Sequence, residues 1–310
     1  MHALICGSFA YDNIMVFHDR FKNHILPDKV HILNVSFLVP EMRREFGGCA
    51  GNIAYNLNLL GGNALPMGTV GDDFEPYAQW MDRCGISRRY VRVISGTFTA
   101  QAFVTTDMDD NQITAFHPGA MNFAHENSVA EVEGVAIGMV SPDGRDGMIR
   151  HAAEFAGAGI PFIFDPGQGL PMYSGDELLT FIEQATWLTV NDYEWELIQN
   201  KTGLNEITAG ERVAALIVTR GAEGSFIRNG GKRYEIPVAR SRELNDPTGC
   251  GDAYRAGLLY GLLNDLDWET TGRLAALMGA IKIEEHGTQN HYCELEEIKD
   301  LFQDNFGYSF

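Results

Sequence analysis

The chain has 310 residues, 45% apolar and 21% charged, which excludes a disordered polymer and fits one large α/β domain or two smaller ones. Its 42 acidic and 23 basic residues give a formal charge of −19, which argues against binding to nucleic acid or an anionic membrane. No apolar run reaches the ~18 residues of a membrane span, and the first residues lack the basic region of a secretory signal. The five cysteines (Cys6, Cys49, Cys84, Cys250 and Cys293) form no C-x-x-C pair, so a cytoplasmic protein with free thiols and no structural zinc is expected.

In chain order, Ala3–Ser8 reads as a buried strand, followed by a polar, irregular stretch over Asp19–Arg44. Gly47-Gly48-Cys49-Ala50-Gly51 leads into a helix over Asn52–Leu60, which Gly61-Gly62 ends. Ala64–Val70 reads as a strand and Asp73–Cys84 as a helix. Phe98–Thr106 and Gln112–Phe116 are β-prone runs around the turn Asp107–Asn111, which predicts a hairpin. Strand and helix candidates then alternate: Val135–Val140 and Arg145–Ala158, Pro161–Asp165 and Gly175–Gln184, Trp187–Asn191 and Tyr193–Lys201. Leu216–Arg220 and Ser225–Arg228 are further strands, and helices over Gly251–Asn264, Trp268–Glu285 and Glu294–Phe302 close the chain. Such alternation predicts an α/β fold with a mostly parallel central sheet, helices on both faces, and ligands at the carboxyl ends of the strands. The early β-rich insertions do not fit the alternation and are expected to form a small β-sheet lid.

The strongest local signal is Asp246-Pro247-Thr248-Gly249-Cys250-Gly251-Asp252-Ala253. Two glycines open a helix with small residues on one face, Ala253, Ala256, Gly257 and Gly261. A helix N-terminus offers free N–H groups and partial positive charge, and glycine lets phosphate approach the backbone. Asp252 stands where a carboxylate can take a proton from an attacking hydroxyl. Taken alone, the string also reads as a glycine turn with an Asp cap.

With Gly47-Gly48-Cys49-Ala50-Gly51-Asn52, this string resembles the two signatures of the PfkB family of ribokinase-like sugar and nucleoside kinases. They occur in the family's order and separation, and the resemblance covers essentially the whole chain. It implies a single kinase domain over residues 1–310, with lid segments at about 13–46 and 96–118. Asp252 would be the catalytic base, and the N–H groups of Gly249, Cys250 and Gly251 the anion hole. The family usually has Ala where this chain has Cys250. The departure is small in size, and it suggests sensitivity to thiol reagents. Asn191-Asp192-Tyr193-Glu194 is similar to the family's Asn-x-x-Glu motif, with Glu194 holding Mg²⁺ through water. Thr219-Arg220-Gly221-Ala222-Glu223-Gly224 is similar to the segment that lies against ATP. For Arg220, a phosphate contact and a solvated turn arginine both remain open. Asp12, Gly48 and Asn52 match positions that bind sugar hydroxyls.

Ser36-Phe37-Leu38-Val39, Phe116–Met121, Asn191–Trp195, Asp246–Gly249 and Gly287-Thr288-Gln289 resemble bacterial adenosine kinases of this family. On that resemblance Phe116 stacks on adenine, and Ser36 and Gln168 make polar contacts to the base. ATP would phosphorylate the adenosine 5′-hydroxyl, a step of purine salvage, with Mg²⁺ and a monovalent cation such as K⁺ in support. Of the lid aromatics Phe37, Phe98, Phe103 and Phe116, at least two are expected to fill the lid's own core. A ribokinase- or fructokinase-like sugar kinase is the nearest alternative, and a non-catalytic nucleotide sensor a more distant one. The lid is expected to close over the substrate, and its exposed strands are a candidate homodimer surface.

Overall fold

The computed structural model describes residues 2–25, 32, 34–109 and 111–310. Its strands are β1 (His2–Cys6), β2 (Ala10–Val16), β3 (Glu41–Gly47), β4 (Ala64–Val70), β5 (Tyr90–Val93), β6 (Ala100–Thr106), β7 (Gln112–His117), β8 (Val135–Val140), β9 (Phe162–Phe164), β10 (Trp187–Asn191), β11 (Ala215–Thr219), β12 (Ser225–Asn229) and β13 (Lys232–Ile236). The helices are α1 (Cys49–Leu59), α2 (Glu75–Arg83), α3 (Arg145–Ala158), α4 (Gly175–Gln184), α5 (Asp192–Thr202), α6 (Glu206–Gly210), α7 (Cys250–Leu263), α8 (Trp268–Ile283) and α9 (Leu295–Phe306).

Nine strands form the main sheet in the order β13-β12-β11-β10-β9-β8-β1-β4-β5. All neighbours pair in parallel except β11–β12 and β12–β13, which turn antiparallel at one edge. Helices cover both faces, and the side chains of β1 show it. Ala3 and Ile5 join a core with Ile53 and Leu57 of α1 and Leu258 of α7, whereas Leu4 and Cys6 join Phe155 of α3 and Phe181 of α4. A strand buried on both faces is apolar throughout, which is why these runs stand out in sequence.

The small sheet has the order β3-β2-β6-β7. β2 pairs in parallel with β6 and antiparallel with β3, and β6–β7 is the expected hairpin, although Asp110 of its turn lies outside the described residues. Two of these strands depart from the sequence reading. β2 carries Asp12 and Asn13 in its middle, and β3 occupies part of what reads as an irregular stretch. β3 (Glu-Met-Arg-Arg-Glu-Phe-Gly) is largely exposed, so no buried apolar face marks it. β5, β13 and α6 were likewise not foreseen; β13 is a charged edge strand, as edges commonly are.

Candidate active site

The carboxyl ends of the main strands converge on the N-termini of two helices. α1 starts directly after β3, and its first N–H groups are held by Ser8, two residues beyond β1. The Cys49 N–H donates to Ser8 Oγ at 3.2 Å and the Ala50 N–H to the Ser8 carbonyl at 3.0 Å. The approach is too close for a side chain: Gly48 has φ +88°, and a Cβ there would lie 2.5 Å from the Ser8 carbonyl oxygen. A Cβ on Gly47 would lie 2.5 Å from Asp12 Oδ2. The two glycines therefore seat Asp12 beside the start of α1.

α7 opens on Gly249 in the left-handed conformation (φ +82°), with no side chain capping the helix. The Cys250 N–H is partly committed, donating to the Pro247 carbonyl at 3.2 Å. The turn is braced from behind. The Asp246 carboxylate accepts the N–H groups of Thr248 and Gly287, each at 2.9 Å, and the buried Lys282 ammonium donates to the carbonyls of Asp246 and Glu285 at 2.7 and 3.0 Å. On the small face of α7, Gly257 lies against the α8 backbone, where a Cβ would come within 2.5 Å of Ala275 Cα.

Asp252, in the first turn of α7, accepts an N–H from Asn52 Nδ2 at 2.8 Å, which joins the two glycine-rich elements. Burial pushes its carboxyl up to about 6, against the opposing pull of Asn52. One turn along α7, the buried Arg255 makes a two-point ion pair with Asp165 just beyond β9, at 2.9 and 3.0 Å. Removing one partner of such a pair typically costs about 3–5 kcal/mol, because a buried charge is left alone. Asp165 raises the Asp252 carboxyl and Arg255 lowers it. Such a shifted carboxylate at a helix N-terminus can take a proton at neutral pH.

At the adjacent ends of β10 and β11, Asn191 pairs with Thr219 in register. Asn191 and Glu194 form a reciprocal cap, with the Glu194 N–H donating to Asn191 Oδ1 at 2.7 Å and the Asn191 N–H to Glu194 Oε2 at 2.8 Å. Burial, then Asp165, raises the Glu194 carboxyl. The helix cap and a polar edge facing the site therefore coexist in one motif. Thr219 leads into the turn Gly221–Gly224, whose two glycines take φ +53° and +77°. Arg220 in this turn is already partnered, by Glu235 Oε2 at 2.8 Å and by the Phe226 ring.

The lid places its residues by strand register. Asp12, Ala102 and Phe116 are direct cross-strand neighbours over β2, β6 and β7, so they share one face. Two strand spacings separate Asp12 from Phe116, roughly 10 Å. Burial, then Glu45 and Asp246, pushes the Asp12 carboxyl to about 6. The Phe116 ring is 53% exposed and open to a ligand. Phe37 instead packs on Phe17 and Phe21 in the lid's own core, and Phe103 points to the opposite sheet face. Ser36 is exposed in the coil before β3, and Gln168 is exposed just beyond β9; no side-chain bond ties either to the Asp12–Phe116 row among the described residues.

Several features in and around this centre leave no pattern in the sequence, although Gln289 itself stands in the quoted Gly287-Thr288-Gln289 segment. Asp165 and Arg255 are 90 positions apart and no motif links them. Gln289 contacts Asn52 across 237 positions. Asp143, 3% exposed just after β8, accepts the Gly144 N–H through Oδ1, and its Oδ2 has no partner among the described residues; burial raises it to about 8. Cys250 shows the opposite of activation. Burial raises its thiol to about 11, which keeps it protonated and weakens the expectation of thiol sensitivity.

This fold, with two glycine-led helix N-termini at the carboxyl ends of its strands, is that of a kinase: the chain belongs to the pfkB family of carbohydrate kinases, whose model matches residues 10–294. A structure of Burkholderia thailandensis nucleoside kinase in complex with inosine superposes with a TM-score of 0.91, 55% identity and coverage of 99% of both chains. The same enzyme in complex with ADP-inosine gives a TM-score of 0.88 at 56% identity, covering 99% of this chain and 97% of that one. The Methanocaldococcus jannaschii nucleoside kinase is 34% identical over 276 residues, 87% of this chain and 89% of that protein. The expected ribokinase-like architecture with its small second sheet is thereby established.

Proposed function

We propose that this kinase transfers the γ-phosphoryl group of ATP to the ribose 5′-hydroxyl of a purine nucleoside, giving ADP and the nucleoside 5′-monophosphate, with adenosine and inosine as acceptors. The observation that carries this reading is the Asp12–Ala102–Phe116 row. A carboxylate for ribose hydroxyls and an open aromatic face for a flat base project from one side of the lid, at about the separation of the two ends of a nucleoside. The inosine bound to the Burkholderia thailandensis enzyme supports a purine. Asp12, Gly48 and Asn52 hold the ribose, Phe116 stacks on the base, and Ser36 and Gln168 are its candidate polar contacts once the lid has moved.

The 5′-oxygen attacks the γ-phosphorus, the bond to the β,γ-bridging oxygen breaks, and the hydroxyl proton passes to Asp252. Unpaired N–H groups at Gly249 and Gly251, with Cys250 contributing more weakly, meet the charge on the transferred group; one such donor is typically worth ~10²–10³-fold in rate. Asn191, Thr219, Gly221 and Gly224 border the nucleotide. Arg220, paired with Glu235, would have to exchange partners to reach phosphate. Magnesium, when bound with ATP, neutralises phosphate charge. The residues present fit it, since Glu194 keeps one carboxylate oxygen beyond its cap and Mg²⁺ needs few protein ligands. Behind the anion-hole turn the Lys282 ammonium already takes the carbonyls of Asp246 and Glu285, so these two oxygens do not fit a further monovalent cation such as K⁺.

The test is turnover of adenosine, inosine, ribose and fructose by the wild type and by Asp252→Asn. Nucleosides should be phosphorylated well above the sugars, and Asp252→Asn should lose ~10²–10⁴-fold in kcat while nucleoside binding by calorimetry survives. Turnover of a sugar with none of either nucleoside overturns the acceptor. Near-normal rates in Asp252→Asn overturn the base.

A further inference from the structure

Behind Asp252 runs a chain of hydrogen bonds that none of these roles uses. Trp80 Nε1 donates to Gln289 Oε1 at 2.9 Å. Gln289 Nε2 donates to Asn52 Oδ1 at 2.9 Å and to the Tyr77 hydroxyl oxygen at 2.6 Å, and Asn52 Nδ2 donates to Asp252 Oδ2. Gln289, Asn52 and Tyr77 are all buried.

The two ends of a side-chain amide are alike in shape and opposite in chemistry, so its partners decide which way round it sits. Here they leave one solution. An indole N–H can only donate, so it takes the Gln289 oxygen and turns the Gln289 N–H₂ toward Asn52 and Tyr77. The Tyr77 proton is committed to the Gly47 carbonyl at 2.9 Å, which leaves its oxygen to accept. The Gln289 N–H₂ then requires Asn52 Oδ1, and the Asn52 N–H₂ is left for Asp252. An inverted Asn52 would set oxygen against the Asp252 carboxylate and N–H₂ against N–H₂.

We propose that Gln289 is a positioning residue for phosphoryl transfer: through Asn52 it presents an N–H to the Asp252 carboxylate and so holds the base aimed and ionised for the incoming hydroxyl. The proposal rests on Asp252 being the base. The other groups facing Asp252 are Asp165 beyond β9, Arg255 on α7, Cys49 on α1, Tyr77 on α2 and the neighbouring Cys250. A change at 289 touches only Tyr77 among them, which loses the N–H it accepts from Gln289 and keeps its own bond to the Gly47 carbonyl.

Gln289→Glu is the sharpest variant. Both new oxygens accept, so Asn52 turns its N–H₂ to them and its own oxygen to Asp252. At saturating ATP and acceptor, the acid limb of kcat should move up by about one pH unit, a loss of ~5-fold at pH 6 that nearly vanishes at pH 8.5. Gln289→Met removes the constraint without inverting Asn52 and should shift the limb less, in the same direction. Trp80→Phe, which frees the Gln289 amide to turn, should do likewise and serves if Gln289→Glu fails to fold. An unshifted limb in the folded variants overturns the proposal. So does a loss equal at every pH, which marks a structural role. Asp252→Asn measured alongside separates the outcomes, because activity there removes the base itself and not only its positioning.

Discussion

Asp252 and Asp12 carry the same perturbation with different consequences. Burial raises both carboxyls to about 6. A base works only when ionised, so kcat should fall as pH drops through about 6 and level off above it. Asp12 is proposed to contact the acceptor and not the moving proton, so on that reading its protonation should raise KM in the same window. A pH series of initial rates separates the two; a kcat flat down to pH 5 contradicts the assignment. Asp143 acts on stability instead. Its folded value of about 8 lies above its ordinary 3.8, so the native state holds a proton that the unfolded chain releases. Its contribution is complete below pH ~4 and is lost as pH rises toward 8. Asp143→Asn should therefore gain stability over the wild type progressively across that range, by on the order of 5 kcal/mol at pH 8. Urea unfolding at pH 5 and pH 8 checks this, and an equal difference at both contradicts it.

Among the elements, the strands of the small sheet are where the proposed acceptor contacts Asp12 and Phe116 lie. Phe116 lies on the edge strand β7, exposed along its whole length, so its ring gains a partner only from a ligand or from lid movement. Phe116→Ala should raise KM for a purine nucleoside about 10–100-fold, an aromatic stacking loss of ~1–3 kcal/mol, with kcat changed little. Steady-state kinetics with inosine decides this; an unchanged KM removes Phe116 from the base site. The same elements mark how far the sequence could be read. Strands buried on both faces appear as apolar runs, and β8 and β10 were located to the residue. β3 and β13 were invisible, because exposed or edge strands are charged and carry no alternation. Asp252, Asn52 and Glu194 were legible because glycine turns and helix caps leave local patterns. The Asp165–Arg255 pair and the Gln289 relay were not, because they arise only when distant segments fold together.

For the molecule as a whole, the two sheets meet where α1 and α7 point their N-termini. Ser36 and Gln168 are both exposed, so contacts to a base require the lid to descend. Closure would exclude water and limit ATP hydrolysis. Small-angle scattering should show a smaller radius of gyration when inosine and a non-hydrolysable ATP analogue are added together; an unchanged radius contradicts closure. Among the described residues no helix is long and apolar enough to cross a membrane.

β3 ends at Gly47 and α1 begins at Cys49, so one residue, Gly48, separates a lid strand from the helix that carries Asn52. There is almost no slack in that joint. A nucleoside that drew the lid down would therefore pull on the helix whose Asn52 donates to Asp252. Acceptor occupancy and the setting of Asp252 would then be mechanically coupled, because a movement of β3 reaches the transfer centre through a single residue.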